Sequence, residues 1–412
     1  MRLRLFIPLL TFGLIGCGGG GGGATAPQSG TWTILVYMNA ANNLDPDSVL
    51  NIEQMQQAAS NPQVRIVVEW KQSLSVSNGA TFDGTRRYLI HSGSSSAVQS
   101  TLVQDLGTTV DMGLPQSLSD FIAWGKANYP ATRYALVLWD HGNGWRPKVR
   151  PKTAGRPAAA RAKRSPAFSY DNETGNAIQI WQLPQALGAQ NFDMVVWDCS
   201  LMQMAEVAFE LRTNTRYVVG SEESPPGTGF PYDSVLAHFQ NSPSNSTLAL
   251  AETWVDEMNA VPGYHQFPIE ESVVDTTKLA SFCASGGPVD LFASSLIAGL
   301  PGDLDVTQQV RTQSKSYIST TNPPRYFYDL EDLASTYDAL STDTGVKAAA
   351  ASVLKGAPDA IVYEKHNANS LGSTGLSIDF SPASAFIPSE TEYDEMAFGT
   401  ANRWGKWLQE AL

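Results

Sequence analysis

The sequence predicts an α/β protein: a caspase-like, mostly parallel sheet flanked by helices, followed by a helix-rich C-terminal part. Short apolar runs (TWTILVYMNA, VRIVVEW, YALVLW, FDMVVW) alternate with segments of helical spacing over the first 240 residues. Such a pattern marks parallel strands covered on both faces. Two of these runs end abruptly in Asp140-His141-Gly142 and Asp198-Cys199-Ser200. Beyond about Asn241 long helical patterns take over.

Taken in order, Thr31 to Ala40 reads as a buried strand, Asp47 to Ala59 as a helix through Val49, Ile52 and Met55, and Val64 to Trp70 as a second buried strand. Thr85 to His91 reads as an edge hairpin strand. Leu114 to Ala127 is a helix with Leu118, Phe121 and Ile122 on one face. Tyr134 to Trp139 is the next strand, Ile178 to Leu187 a short helix. The Phe192 strand runs on into a helix from Leu201 to Arg212, and Arg216 to Gly220 is a further strand. The later helices cover Thr247 to Ala260, Asp275 to Ala298, Tyr328 to Leu340 and Val346 to Pro358, with strand-like pieces at Ala360 to Tyr363 and Gly375 to Phe380. An amphipathic helix over Glu395 to Leu412 closes the chain, and no internal repeat is visible. The expected organisation is a core over 31–240 and a region 241–412 that completes or covers it.

The first residues read as an address. MRLR is followed by a mostly apolar run, LFIPLLTFGLIG, too short to span a bilayer, which takes about 20 residues. Leu14-Ile15-Gly16-Cys17 looks like the lipobox of bacterial lipoproteins. That implies a signal peptide over 1–16, cleavage before Cys17, a lipid on its thiol and residence in the bacterial cell envelope. Residues 17–30 are Gly-rich, the composition of a flexible tether.

Net charge is −13, yet Arg146 to Arg164 holds eight Lys or Arg and no acid. Rich in Pro and Ala and without periodicity, this stretch reads as an exposed loop. It lacks interleaved aromatics and sits on an acidic body, which argues against nucleic acid. Besides Cys17 there are only Cys199 and Cys283. An exported protein can bridge such a pair, and a bridge would silence Cys199; Cys283, in KLASFCASGG, reads as a small buried apolar residue.

A His and a thiol or hydroxyl, each at a strand end, suit nucleophilic catalysis, and ligands of open α/β sheets bind beyond the carboxyl ends of strands. Gly142 adds an unobstructed N–H for an oxyanion. VLWDHGNGW, FSYDNETGNAIQIWQLPQAL, DMVVWDCSLMQMAEVAFEL and YVVGSEESPPGTGFPY, in that order, resemble the clostripain family of cysteine peptidases. TILVYMNAANNLD, FYDLEDLA and GLSIDF are further family-like segments, so the resemblance covers most of the chain after the leader. It implies a caspase-like fold and cleavage of peptide bonds, commonly after Arg or Lys, by a His–Cys dyad. His141 matches the family's His. His91, His238, His265 and His366 stand in no such motif, and metal-ligand spacing is absent.

The family pattern at the nucleophile runs Asp, small residue, Cys, Leu, Met. Here Asp198-Cys199-Ser200-Leu201-Met202 places Ser200 where the family has Cys. Three readings stand. Ser200 attacks with His141 as base; or Cys199 attacks, its pKa lowered by a helix starting near Leu201; or the chain is a catalytically inactive, peptide-binding envelope lipoprotein. A hydrolase acting on small esters is a further option for the Ser200 reading. Adjacent side chains at a strand end point to opposite sides, so Cys199 would face the core if Ser200 faces His141.

Asp198 matches a family position associated with a basic substrate side chain; its other reading is a helix N-cap. Thr228 stands where members often carry an acid, which weakens the expectation of Arg or Lys preference, while Glu222 and Glu223 read as surface or structural acids. Asp171 lies in a family-like segment without a readable role. The resemblance also implies processing within 146–164, the other reading being an uncut surface loop. Calcium assists some members, but no D-x-D-x-D-G spacing is present, so no cofactor is expected and calcium stays open.

Overall fold

The computed structural model describes residues 30–58, 61–77, 79–93, 99–146, 168–300, 302–317 and 326–411. The signal peptide, Cys17, the tether up to residue 29 and residues 147–164 of the basic stretch lie outside them; Gly30, expected in the tether, opens the first strand.

One sheet of nine strands organises the molecule. Its centre is parallel: β1 (Gly30–Asn39) runs between β2 (Val64–Gln72) and β5 (Ala131–Trp139), followed outward by β8 (Phe192–Asp198) and β9 (Thr215–Gly220). Beyond β2 lie antiparallel β3 (Gly84–Leu89) and β4 (Thr101–Gly107). On the other side β9 pairs antiparallel with β10 (Glu270–Asp275), and β10 with β12 (Ile361–His366). Residues from beyond 240 therefore build two strands of the main sheet. β6 (Phe168–Asp171) and β7 (Asn176–Ile178) form a separate hairpin, and β11 (Phe327–Asp329) pairs with β13 (Ser377–Asp379).

Both faces of the sheet are covered, as near-continuous apolar strands require. Leu35, Leu136, Leu138, Val195 and Trp197 face one core. Ile34, Val36, Val137, Met194 and Val196 face the other. α1 (Asp45–Gln57), α5 (Tyr232–Asn241) and α6 (Thr247–Ala260) cover the second face. α2 (Pro115–Asn128), α3 (Leu183–Leu187), α4 (Ala205–Glu210), α7 (Thr276–Cys283), α8 (Pro288–Gly299), α10 (Leu330–Leu340) and α11 (Thr344–Ala360) pack into the first, with α9 (Leu304–Gln313) beside α10.

Several elements differ from the sequence expectation. β3 is internal; the edge strand is β4, whose exposed TLVQDLG carries no alternation that would reveal it. The helix expected over Asp275 to Ala298 breaks at Gly286 (φ 79°) into α7 and α8. The last helix is also divided, into α14 (Ala397–Ala401) and α15 (Trp404–Glu410), after α12 (Ala383–Phe386) and α13 (Glu390–Glu395). The helix expected from Leu201 begins only at Ala205.

Arg146 is not exposed. Its guanidinium is buried against Asp379, with Nε 2.5 Å from the carboxylate, and Trp145 Nε1 donates to the same carboxylate at 2.8 Å. The basic composition around it concealed a residue whose partner lies 233 positions away.

Candidate active site

The parallel strands reverse their order of winding between β1 and β5, so a crevice opens beyond the carboxyl ends there. A cleft of about 220 Å³ occupies it. Leu44 follows β1; Trp139, Asp140 and His141 end β5; Asp198, Cys199 and Ser200 end β8; Pro225, Pro226, Gly227 and Gly229 follow β9. His141 and Ser200, distant in sequence, line the same space.

Asp140 shapes the His141 turn. Its buried carboxylate accepts from the His141 amide at 2.6 Å, from Asn42 Nδ2 at 2.8 Å and from the Tyr170 amide. Burial pushes this carboxyl well above the usual range, against the pull of those bonds. His141 itself is half-buried; its Nε2 meets Asn43 Oδ1 at 2.9 Å, and Tyr170 stands edge-on to the ring at 6.2 Å. Asn42 and Asn43 are neighbours of this turn that the sequence reading did not single out; their signal lay in NAANNLD, a segment noticed only as family-like.

Gly142 is pressed onto Ser200: a β-carbon there would overlap the Ser200 carbonyl oxygen and stand 2.9 Å from its amide nitrogen. Only glycine allows the two strand ends this approach.

The two candidate nucleophiles part company. Cys199 belongs to the same core as Val195 and Trp197, and its thiol donates to the Leu138 carbonyl at 3.2 Å. Burial, then the charges of Asp140 and Asp198, push that thiol well up. The helix expected to lower it does not reach it, because α4 starts six residues later, at Ala205. Ser200 is half-buried on the cleft wall. Leu201, next in the chain, takes φ 65°, a conformation rare for a branched side chain, and its amide donates to the Glu223 carbonyl at 2.9 Å. This turn replaces the predicted first helical turn.

Asp198 is not an N-cap. Its carboxylate accepts from Tyr232 Oη at 2.7 Å and from the Phe230 amide, and Gly229 packs directly on it. Burial raises it to about 6. An ionisable carboxylate at the floor of a cleft is suited to a cationic ligand group.

The sequence profile of the clostripain family matches residues 36–410. The chain belongs to the clostripain family. It is 28% identical to clostripain from Hathewaya histolytica over 227 residues, half of this chain and 41% of that protein's length. Its fold is similar to that of an inactive zymogen C11 protease from Parabacteroides distasonis, at a TM-score of 0.65 and 17% identity, over 92% of this chain and 99% of the other. A secreted C11 cysteine protease from Bacteroides thetaiotaomicron, solved with an irreversible peptide inhibitor, gives a TM-score of 0.58 at 17% identity, over 85% and 93%.

The other residues singled out in this clostripain-family chain have structural places. Asp171 is buried in an ion pair with Lys71 at 2.8 Å and also accepts from the Met112 amide, tying the β6–β7 hairpin to β2. Glu222 is buried, accepting from Tyr317 Oη and the Gly375 amide at 2.9 Å each; Glu223 pairs with Lys315 at 3.4 Å. Thr228 Oγ1 meets Tyr264 Oη at 2.5 Å and is not part of the cleft wall. Cys199 and Cys283 are both buried free thiols. Among the described residues no group of three or more His, Cys, Asp or Glu is placed to hold a metal ion.

Proposed function

We propose that this clostripain-family protein is an endopeptidase acting by acyl transfer, with Ser200 as nucleophile and His141 as base. The observation that carries this reading is the division of roles at the end of β8. Both residues line the cleft with His141, but Cys199 is buried with its thiol donating to the Leu138 carbonyl, whereas Ser200 is half-buried and more open to the cleft.

In the proposed reaction His141 takes the Ser200 hydroxyl proton as Oγ attacks the scissile carbonyl. The amides of Gly142 and Ser200 would share the oxyanion, a contribution of about 10²–10³ in rate per donor. His141 then returns the proton to the leaving amine, and water releases the acyl group by the same steps. Asp198 supports preference for Arg or Lys on the acyl side of the cut bond. Its carboxylate lies at the cleft floor with a pKa of about 6, ionised at neutral pH. Lipid on Cys17 would hold the enzyme at the cell envelope, and residues 147–164 would offer basic bonds for processing.

A second reading, peptide binding without turnover, is favoured by one observation. The residue in the family's Cys position is Ser200, and a hydroxyl is harder to ionise than a thiol and normally needs a well-oriented base. Fluorogenic Arg and Lys peptides separate the two. Turnover by the wild type, lost in Ser200→Ala and His141→Ala and kept in Cys199→Ala, supports the peptidase. Binding without turnover by the wild type sinks it.

A further inference from the structure

We infer that Asn43 is a positioning residue for the proposed reaction: its side-chain oxygen keeps the proton of the neutral His141 ring on Nε2, which makes Nδ1 the atom that takes the Ser200 proton. The inference rests on the peptidase reading and adds to it the tautomer of the base. Asn43 Oδ1 stands 2.9 Å from His141 Nε2. An amide oxygen carries no proton, so at this distance the imidazole nitrogen is the donor. A neutral imidazole has one N–H, and its lone pair is then left on Nδ1.

Asn43 is itself exposed, so packing does not hold it. Its place is set by Asn42, the buried residue before it. Asn42 Nδ2 donates to the carbonyls of Asn39 at 3.2 Å and Tyr170 at 3.0 Å and to Asp140 Oδ1 at 2.8 Å, and Asn42 Oδ1 accepts from the Leu44 amide at 2.9 Å. The Asp140 carboxylate also accepts from the His141 amide at 2.6 Å. These links close a ring. It runs from the His141 backbone through Asp140 and Asn42 to Asn43, and back through the Asn43 carboxamide to the imidazole. Both partners of the Asn43–His141 hydrogen bond therefore hang on one buried carboxylate. Tyr170, edge-on to the imidazole, is tied to the same carboxylate through its amide.

An uncharged acceptor on Nε2 suits a base that must gain and then lose a proton. The imidazolium donates from both nitrogens, so the bond to Asn43 survives protonation at Nδ1 and the ring need not turn between the two transfers. The titratable groups around this ring are Asp140 under the turn, Asp198 and Cys199 on the cleft wall and Tyr170 at the ring edge. Water can replace either partner of an exposed hydrogen bond, so loss of the Asn43 carboxamide should be read in rate and tautomer and hardly in folding.

The test compares Asn43→Ala and Asn43→Asp with the wild type on a fluorogenic Arg peptide. In Asn43→Ala, kcat is expected to fall about tenfold with KM within about twofold and an unchanged urea midpoint. Asn43→Asp keeps an acceptor and should restore most of that rate, with the acid limb of the kcat profile moved up by about half a pH unit, because a carboxylate favours the imidazolium. An unchanged kcat in Asn43→Ala, or an equal loss in both variants, overturns the inference. A second readout needs no turnover: 15N NMR of the histidine-labelled protein, with the His141 signals assigned by their loss in His141→Ala. At a pH where the ring is neutral, the wild type should carry its proton on Nε2 and Asn43→Ala should share it between the two nitrogens. A wild-type proton on Nδ1 overturns the inference. If the wild type cuts no peptide, the hydrolytic reading fails separately, and the NMR result alone decides whether Asn43 sets the tautomer.

Discussion

Gly142 and Ser200 touch backbone to backbone where β5 and β8 end, with no room between them for a methyl group. This contact brings the candidate base and the candidate nucleophile to one cleft, although they are far apart in the chain. It depends on a residue with no side chain and on a neighbour, Leu201, held at φ 65°.

Gly142→Ala is therefore expected to force the strand ends apart. Overpacking of this kind costs about 1–3 kcal/mol. The expected outcome is a lowered urea midpoint with peptide turnover reduced about 10²-fold or more, since a misplacement near 1 Å can cost that much. Full turnover and an unchanged midpoint would show that the approach is not needed.

At the nucleophile, the buried Cys199 thiol should react with iodoacetamide slowly in the native protein and rapidly in urea. Ser200→Cys puts a thiol on the cleft wall beside His141. It should be alkylated quickly, with that rate lowered by His141→Ala. A Ser200→Cys variant no more reactive than wild type would mean that position 200 does not meet the imidazole.

Asp198 sets a pH dependence. With its carboxyl raised to about 6, it is neutral in acid and charged above that pH. The ratio of kcat/KM for an Arg peptide over a Gln peptide should rise between about pH 5 and pH 7, one unit either side of that value. In Asp198→Asn the ratio should be low and flat; a flat wild-type ratio would remove Asp198 from substrate recognition.

Glu206 links stability to pH. It is fully buried, accepts from the Asp379 amide at 2.9 Å, and is pushed up to about 8 by burial, then by the nearby Asp379 charge. Unfolded, it would lose its proton near pH 4.3, so folding retains a proton that the open chain releases. Its contribution is whole below about pH 4 and is lost as pH climbs to about 8, a change on the order of 5 kcal/mol. Glu206→Gln should flatten the fall in urea midpoint between pH 5 and pH 9, scanned across that window; an identical slope in both proteins would contradict this.

Arg146→Ala leaves the Asp379 carboxylate buried without its cation. Removing one partner of a buried pair costs about 3–5 kcal/mol. The expected drop in thermal midpoint should be largely recovered in the double variant with Asp379→Asn, which a double-mutant cycle measures.

Much of this architecture was legible because its signals are local. The runs around Leu35, Val67, Leu136 and Val195 are apolar on both faces, and only a sheet covered on both sides accepts them. β4 escaped notice because its exposed residues carry no such pattern, and β10 because EESVVD buries its acids, Glu270 and Glu271, among distant partners. Arg146 was misread because composition reports a neighbourhood in sequence, whereas Asp379 lies across the fold.

The sequence by itself determined the α/β class, the family and the chemistry delivered to the ends of β5 and β8, since hydrophobic period and residue type are properties of short segments. Only the tertiary structure decided that the Cys199 thiol is buried against the Leu138 carbonyl while Ser200 stays half-exposed, and that Asp140 and Asp198 are the carboxylates of the cleft lining. Side-chain direction at a strand end depends on the next backbone angle and on partners such as the Leu138 carbonyl, and those partners exist only once the strands have assembled.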